Sequence, residues 1–421
     1  MQTQGLRVWQ MLPVGIPDHT GSPYQSCSAF AADPGLLGQD LDFEPDPIEL
    51  ARFREQQSYW LEDFARFMVL RRHFDEAAWF EWPAALRDRD PDALATFDRQ
   101  HEQSIQDEIV QQFLLEQRWQ ALRKAAAERD VLLFGDLPIF VALNSADVWA
   151  NRDQFLLDGN GQPTMVAGVP PDYFSETGQR WGNPHYDWDH MLGDNFSWWH
   201  ARVRRQLGWF DMVRLDHFRG LAASWMIPAE AETAIEGHWQ EVPGELLLDS
   251  LHEEFEDLPI VAEDLGVITP DVEGLRRQFS LPGMAILQFS FDAFEDNPHK
   301  PQNIGLDRVV YTGTHDNDTS RGWYEALDED AQAHVREVLH CEQGEDVVDA
   351  MIRSALTTEA ALVVFPMQDL LGLGSGARMN TPGAIENNWQ WRFSWAEVEE
   401  AAGHLTELAA AIKETDRAEA C

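Results

Sequence analysis

Short apolar runs, spaced by helical stretches, recur along this chain and constrain its fold more than any other feature. Seven of them have the length and composition of buried parallel strands, at residues 8–12, 131–135, 211–215, 259–263, 284–289, 308–312 and 362–366. Repeated strand–helix units of this kind predict an α/β protein, a (β/α)₈ TIM-type barrel. A closed barrel requires eight units, and nothing ahead of residue 8 can hold another strand with its helix. We therefore expect either that the first βα unit is missing or that the barrel closes in an unusual way.

The remaining segments divide the chain into three predicted parts. Residues 1–46 begin the catalytic barrel, with its second strand and a donor/acceptor loop, and residues 47–130 form a helical insertion, because apolar residues recur there with helical spacing. Residues 131–421 hold the rest of the barrel. That part includes a Gly-, Pro- and Trp-rich loop insertion at 151–200 and a C-terminal helix that begins near Trp395.

Charge and cysteine content exclude several classes of partner. The formal net charge is −42, and the only lysines are Lys124, Lys300 and Lys413, so nucleic acid and anionic membrane would be repelled. Acidic residues spread along the whole chain predict a halophilic surface that is soluble in concentrated salt. The three cysteines show no CxxC or metal-ligand spacing, and no secretory leader or membrane span is evident. These features favour a cytoplasmic protein without a metal, present as a monomer or weak homo-oligomer.

Three carboxylates follow three of the predicted strands. Asp216, Glu263 and Asp316 stand at or just beyond the carboxyl ends of their strands, where parallel barrels hold their catalytic groups. Arg214 lies two residues before Asp216, on the same strand face, where it would keep that carboxylate ionised. The apolar segment before Glu263 would raise the pKa of its carboxyl toward that of a general acid. One nucleophilic and one acidic carboxyl group are what glycosidic bond cleavage requires, although spacing alone leaves other barrel reactions open.

Several longer motifs stand around and between these carboxylates: LDHFRG at 215–220, AEDLGVITP at 262–270, TGTHDND at 312–318, WQMLP at 9–13, SPYQS at 22–26, GDLPIFV at 135–141, GVPPDYFSETGQRWGNP at 168–184 and ARMNTPG at 377–383. Together they resemble the 4-α-glucanotransferases known as amylomaltases or disproportionating enzymes, of glycoside hydrolase family 77. The likeness runs from about Trp9 to Phe393.

The resemblance implies a role for each matching position. Asp216 would be the nucleophile, Glu263 the acid/base and Asp316 the transition-state stabiliser. The other matching positions would bind substrate near the scissile bond: Ser22, Tyr24, Asp172, Gln179, Trp181, Arg214, His217, His315 and Asn380. The family also implies α-1,4-glucan donors, glucose or maltooligosaccharide acceptors, a retaining double displacement and no cofactor. The aromatic loop around Trp181 would then exclude water and seat the acceptor.

Two other functions fit the same residues. One is an α-amylase-type hydrolase, which would release reducing ends instead of making longer oligomers. The other is an inactive glucan-binding protein, the expected result if loss of the first βα unit abolished catalysis.

Overall fold

All seven predicted strands are present in the computed structural model, which describes residues 1–38, 44–171, 175–384, 386–413 and 415. The β-strands are β1 Val8–Gln10, β2 Leu132–Pro138, β3 Met165–Val169, β4 Gln179–Pro184, β5 Met212–Asp216, β6 Ala223–Pro228, β7 His238–Glu241, β8 Ile260–Ala262, β9 Gly283–Ile286, β10 Arg308–Tyr311 and β11 Leu362–Val364. The predicted strands correspond to β1, β2, β5, β8, β9, β10 and β11.

These seven strands pair in parallel and in chain order. One group has the order β1-β2-β5-β8 and the other β9-β10-β11. The Ala262 N–H, at the end of β8, donates to the carbonyl of Pro282 just before β9 at 2.8 Å, which joins the two groups. Within the described ranges, no strand pairs with the outer side of β1 or β11.

The helices are interspersed with these strands along the chain. They are α1 Pro47–Gln56, α2 Leu61–His73, α3 Ala84–Arg87, α4 Pro91–Gln100, α5 Glu102–Ala127, α6 Ala146–Ala150, α7 Trp188–Gly193, α8 Ser197–Trp209, α9 Gly244–Glu254, α10 Pro270–Gln278, α11 Ser320–Glu325, α12 Glu329–Val338, α13 Val347–Leu356, α14 Met367–Leu370, α15 Trp395–Glu400 and α16 Ala402–Lys413. Helices α1 to α5 fill the stretch expected to be helical, and Phe64, Phe67, Ile109 and Phe113 bury its apolar faces.

Two segments differ in detail from expectation. The stretch 151–200 is more regular than its composition suggests, since it holds β3, β4, α7 and the start of α8. Strands β3 and β4 join β6 and β7 in an antiparallel sheet of order β4-β3-β6-β7, outside the parallel one. The predicted C-terminal helix is two helices, α15 and α16, which meet at Ala401. Leu405, Leu408 and Ile412 of α16 are buried.

Candidate active site

Asp216 ends β5 and is held by the arginine predicted to act on it. The Arg214 Nη2 atom donates to Asp216 Oδ1 at 2.6 Å. Arg214 is 4% exposed, whereas the Asp216 side chain is 26% exposed and therefore accessible to a ligand.

A buried aspartate that the sequence argument did not assign holds the other side of Arg214. Asp136 lies on β2 directly opposite Arg214 in the parallel register, and its two oxygens accept from Arg214 Nη1 at 2.8 and 2.7 Å. Burial disfavours the charge on Arg214, but attraction to Asp136 and then Asp216 raises the pKa of the guanidinium well above its usual value. The fixed cation is thus oriented by one carboxylate toward the other. The sequence does contain a signal that could have identified Asp136, since it is a charged residue inside an otherwise apolar strand.

Glu263 follows β8, and two backbone N–H groups hold its carboxyl group. Its Oε2 accepts from the His217 N–H at 2.7 Å and its Oε1 from the Leu265 N–H at 3.0 Å. Burial and the nearby negative charge of Asp216 raise the pKa of Glu263 to about 7, although Arg214 and the two N–H groups act in the opposite direction. The carboxyl group therefore exchanges its proton near neutral pH, as acid/base catalysis requires.

His217 connects the first two carboxylates through its backbone. It directly follows Asp216 with φ of 54°, a left-handed conformation that is uncommon for a residue with a side chain. Burial lowers the pKa of its imidazole to about 4, so the ring is neutral at pH 7. The Trp181 ring, on β4, meets the His217 ring edge to face with centroids 4.9 Å apart. Trp181 Nε1 donates to Gln179 Oε1 at 3.1 Å, so Gln179 lies next to Trp181 on this side of the site.

Asp316 belongs to the loop after β10 and joins this network through His315. The Asn380 amide donates to Asp316 Oδ1 at 2.6 Å, and His315 Nε2 lies 3.4 Å from the same oxygen. The Asn380 N–H also donates to the His315 carbonyl at 3.1 Å. The Asp316 side chain is 47% exposed, which leaves it open to a substrate hydroxyl.

Tyr24 connects the two parts of the site, because it contacts both Asp136 and His315. Its hydroxyl donates to Asp136 Oδ2 at 2.7 Å and lies 3.0 Å from His315 Nε2. Its ring stacks on His315 and is 5.7 Å from the Trp389 ring, centroid to centroid. Trp389, which the sequence argument missed, reaches this position from a loop and has φ of 63°. The Ser22 hydroxyl accepts a hydrogen bond from the backbone N–H of Tyr24 at 3.3 Å.

One predicted site residue, Asp172, lies outside the described residues, as do Tyr173 and Phe174 of the expected aromatic loop. The structure brings the other predicted positions into one region at the carboxyl ends of β2, β5, β8 and β10. Within the described part of the chain, no group of three or more His, Cys, Asp or Glu side chains is arranged to hold a metal ion.

Comparison with known proteins supports a single family. The model of the family described as 4-alpha-glucanotransferase, glycoside hydrolase family 77, matches residues 39–398. The chain belongs to this family. The 4-alpha-glucanotransferase of Thermus thermophilus is 40% identical over 470 aligned positions, which cover 99% of this chain and 93% of the relative. The 4-alpha-glucanotransferase of Synechocystis is 41% identical, and the alignment covers 95% of this chain and 89% of the relative.

Solved structures extend the likeness to the fold. An amylomaltase from Streptococcus agalactiae in complex with acarbose is 31% identical, with a TM-score of 0.91 over 99% of this chain and 93% of that one. An amylomaltase from Corynebacterium glutamicum, 18% identical with a TM-score of 0.75, shares the fold. The predicted family and barrel-type architecture of this glucanotransferase are therefore confirmed.

Proposed function

We propose that this family member transfers α-1,4-glucan segments between maltooligosaccharides or starch-like chains by a retaining double displacement. The observation that carries the proposal is the contrast between two neighbouring carboxyl groups. Asp216 is paired with the fixed charge of Arg214 at 2.6 Å, whereas burial raises the pKa of Glu263 to about 7. Different environments of this kind give two carboxyl groups different roles in glycoside chemistry.

In the first displacement, an oxygen of Asp216 attacks the anomeric carbon of the donor. The glycosidic bond breaks as Glu263 gives its proton to the leaving oxygen, and a glucosyl ester forms on Asp216. Glu263 is then ionised. Asp316, held by Asn380 at 2.6 Å, would accept hydrogen bonds from ring hydroxyls and stabilise the distorted sugar.

In the second displacement, a hydroxyl of the acceptor glucan attacks the same carbon. Glu263 takes the hydroxyl proton, the ester bond to Asp216 breaks, and the enzyme returns to its starting state. Two inversions give net retention. The β3–β4 hairpin, which carries Gln179 and Trp181 beside His217, is suited to seat the acceptor and displace water. Glucose and maltooligosaccharides are the acceptors we expect.

Incubation with maltotriose tests this function. Transfer produces both longer and shorter oligomers while the number of reducing ends stays constant. A rise in reducing ends without longer oligomers would instead identify an α-amylase-type hydrolase. Unchanged maltotriose, with binding retained, would identify a glucan-binding protein without activity.

We also infer that the enzyme works in a reducing, salt-rich cytoplasm. The net charge of −42 and the small number of lysines support this inference. Cys27 and Cys341 are free thiols, as expected for a reduced compartment. No helix in the described ranges is long and apolar enough to cross a membrane.

A further inference from the structure

Strand β8 ends where the two groups of parallel strands meet. The Ala262 N–H donates to the Pro282 carbonyl at 2.8 Å, and in a regular parallel ladder the Met284 N–H would then donate to the Ala262 carbonyl. The Met284 N–H donates instead to the Oδ1 atom of Asp264, at 2.7 Å. A carboxylate side chain thus takes the place of a backbone acceptor, one residue after Glu263.

Asp264 is buried and is paired with two arginines. Its side chain is 4% exposed, and its Oδ2 atom contacts Nη1 of Arg308 on β10 and lies 3.3 Å from Nε of Arg276 on α10. Arg276 also donates to Asp307 at 2.9 Å. Buried ion pairs add little net stability, because the loss of hydration opposes the attraction between the charges. The pairing does fix the direction of the Asp264 side chain.

Gly283, at the start of β9, makes room for this ion pair. A Cβ atom at position 283 would lie 2.3 Å from Nη1 of Arg308 and 2.4 Å from Oδ2 of Asp264, which is closer than non-bonded atoms approach each other. A side chain at this position would therefore push the two charged groups apart. The close contact between Asp264 and Arg308 depends on the glycine.

The backbone of Glu263 is held from the other side by β5. Its N–H donates to the Leu215 carbonyl at 3.0 Å. The Leu265 N–H then turns back to the carboxyl group of Glu263, also at 3.0 Å. Residues 263–265 are thus attached to β5 through Glu263 and to β9 and β10 through Asp264. These two attachments set the position of the Glu263 carboxyl group.

We propose that Asp264 is a positioning residue, which holds Glu263 where its carboxyl group meets the N–H groups of both His217 and Leu265. The proposal rests on the proposed function, in which Glu263 is the acid/base. Asp264 contacts β9, β10 and α10 and acts through the backbone that it shares with its neighbour. A small displacement of a catalytic group lowers the rate strongly, so such an anchor matters for catalysis.

The direction of a pKa change separates positioning from electrostatics. Burial raises the pKa of Glu263, Arg214 lowers it, Asp216 raises it, and the two backbone N–H groups lower it. The neighbouring His217 ring is neutral at pH 7, because burial lowers its pKa to about 4. Weaker N–H contacts would therefore raise the pKa of Glu263. Loss of the negative charge of Asp264 would lower it, since the two arginine partners would be less compensated.

Gly283→Ala and Asp264→Asn test this role in different ways. Gly283→Ala keeps every charge but separates Asp264 from Arg308, and we expect it to raise the pKa of Glu263 by about one pH unit. Asp264→Asn should raise it by less, because the lost charge acts in the opposite direction. NMR titration of protein labelled with ¹³C in its glutamate carboxyl groups measures this pKa, and Glu263→Gln identifies the resonance. The alkaline limb of maltotriose transfer should move in the same direction.

Glu116→Gln is the matched control, since it removes a carboxylate that pairs with Arg205 at 2.7 Å between α5 and α8. Urea unfolding measures the stability lost in each variant. The control should lose stability without a change in the pKa of Glu263. A similar rise of the pKa in the control would overturn the proposal, because the change would then follow from lost stability alone.

The pKa of Glu263 in Gly283→Ala decides the role of Asp264. A rise supports positioning, and an unchanged or lower value overturns it. If Gly283→Ala does not fold, the same reading of Asp264→Asn decides. If wild-type protein leaves maltotriose unchanged, the proposed transfer function fails, whereas the NMR titration still decides whether Asp264 positions Glu263.

Discussion

Replacing Glu263 by glutamine removes the proposed proton donor and keeps the size of the side chain. General acid–base catalysis typically contributes about 10²- to 10⁴-fold, so we expect kcat on maltotriose to fall by about that factor. An α-maltosyl fluoride donor needs little protonation of its leaving group, and its first displacement should stay close to the wild-type rate. The second displacement still needs a base, so the glycosyl-enzyme should accumulate. Stopped-flow release of fluoride measures the first step and product chromatography the second.

The pH dependence gives a second readout of the same change. The pKa of Glu263 is raised to about 7, and the acid must be protonated to act. Below that pH it is mostly protonated, and each further pH unit above it lowers the protonated fraction, and with it kcat/KM, by about tenfold. This alkaline limb should be absent in Glu263→Gln. An alkaline limb that survives the substitution would refute the assignment of Glu263 as the acid.

Stability must be separated from catalysis in this test. Both Glu263 oxygens accept a backbone N–H, from His217 and Leu265, whereas a glutamine amide has one carbonyl oxygen. One N–H would face the amide NH₂, at a cost of about 1–3 kcal/mol in the free energy of unfolding. Urea unfolding measures this loss, and Glu329→Gln on the exposed face of α12 is the matched control. Ordinary rates on maltotriose in folded Glu263→Gln protein would disprove the role.

Three further results are expected. Asp136→Asn leaves Arg214 buried with one carboxylate partner fewer, so it should lower the free energy of unfolding by about 3–5 kcal/mol. An unchanged urea midpoint would show that Asp136 does not hold Arg214. The melting temperature should rise from low to molar potassium chloride, where the Debye length is about 3 Å, because the charge of −42 is then screened; a flat or falling curve would exclude salt adaptation. Activity should survive exhaustive chelation, and its loss with recovery on adding calcium would favour an amylase-type enzyme.

The sequence predicted the parallel strands because buried parallel strands appear in a sequence as continuous apolar runs. The same rule placed Asp216, Glu263 and Asp316 at one edge. It could not predict the antiparallel sheet of β3, β4, β6 and β7. His238–Glu241 is exposed along its length, so it has no apolar pattern to detect.

The contacts missed by the sequence argument are those that depend on distant segments. Asp136 and Arg214 are 78 positions apart in the chain, and only strand register makes them partners. Trp389 reaches Tyr24 from the far end of the sequence through a loop without periodicity.

In the proposed mechanism, Asp216 carries the sugar between donor and acceptor. Mass spectrometry of Glu263→Gln protein, quenched after incubation with α-maltosyl fluoride and then digested, tests this directly. We expect a maltosyl adduct on the peptide that contains Asp216, and we expect azide to remove it as maltosyl azide, because azide is a nucleophile that needs no general base. An adduct on another carboxylate, or turnover of the donor without any adduct, would contradict it.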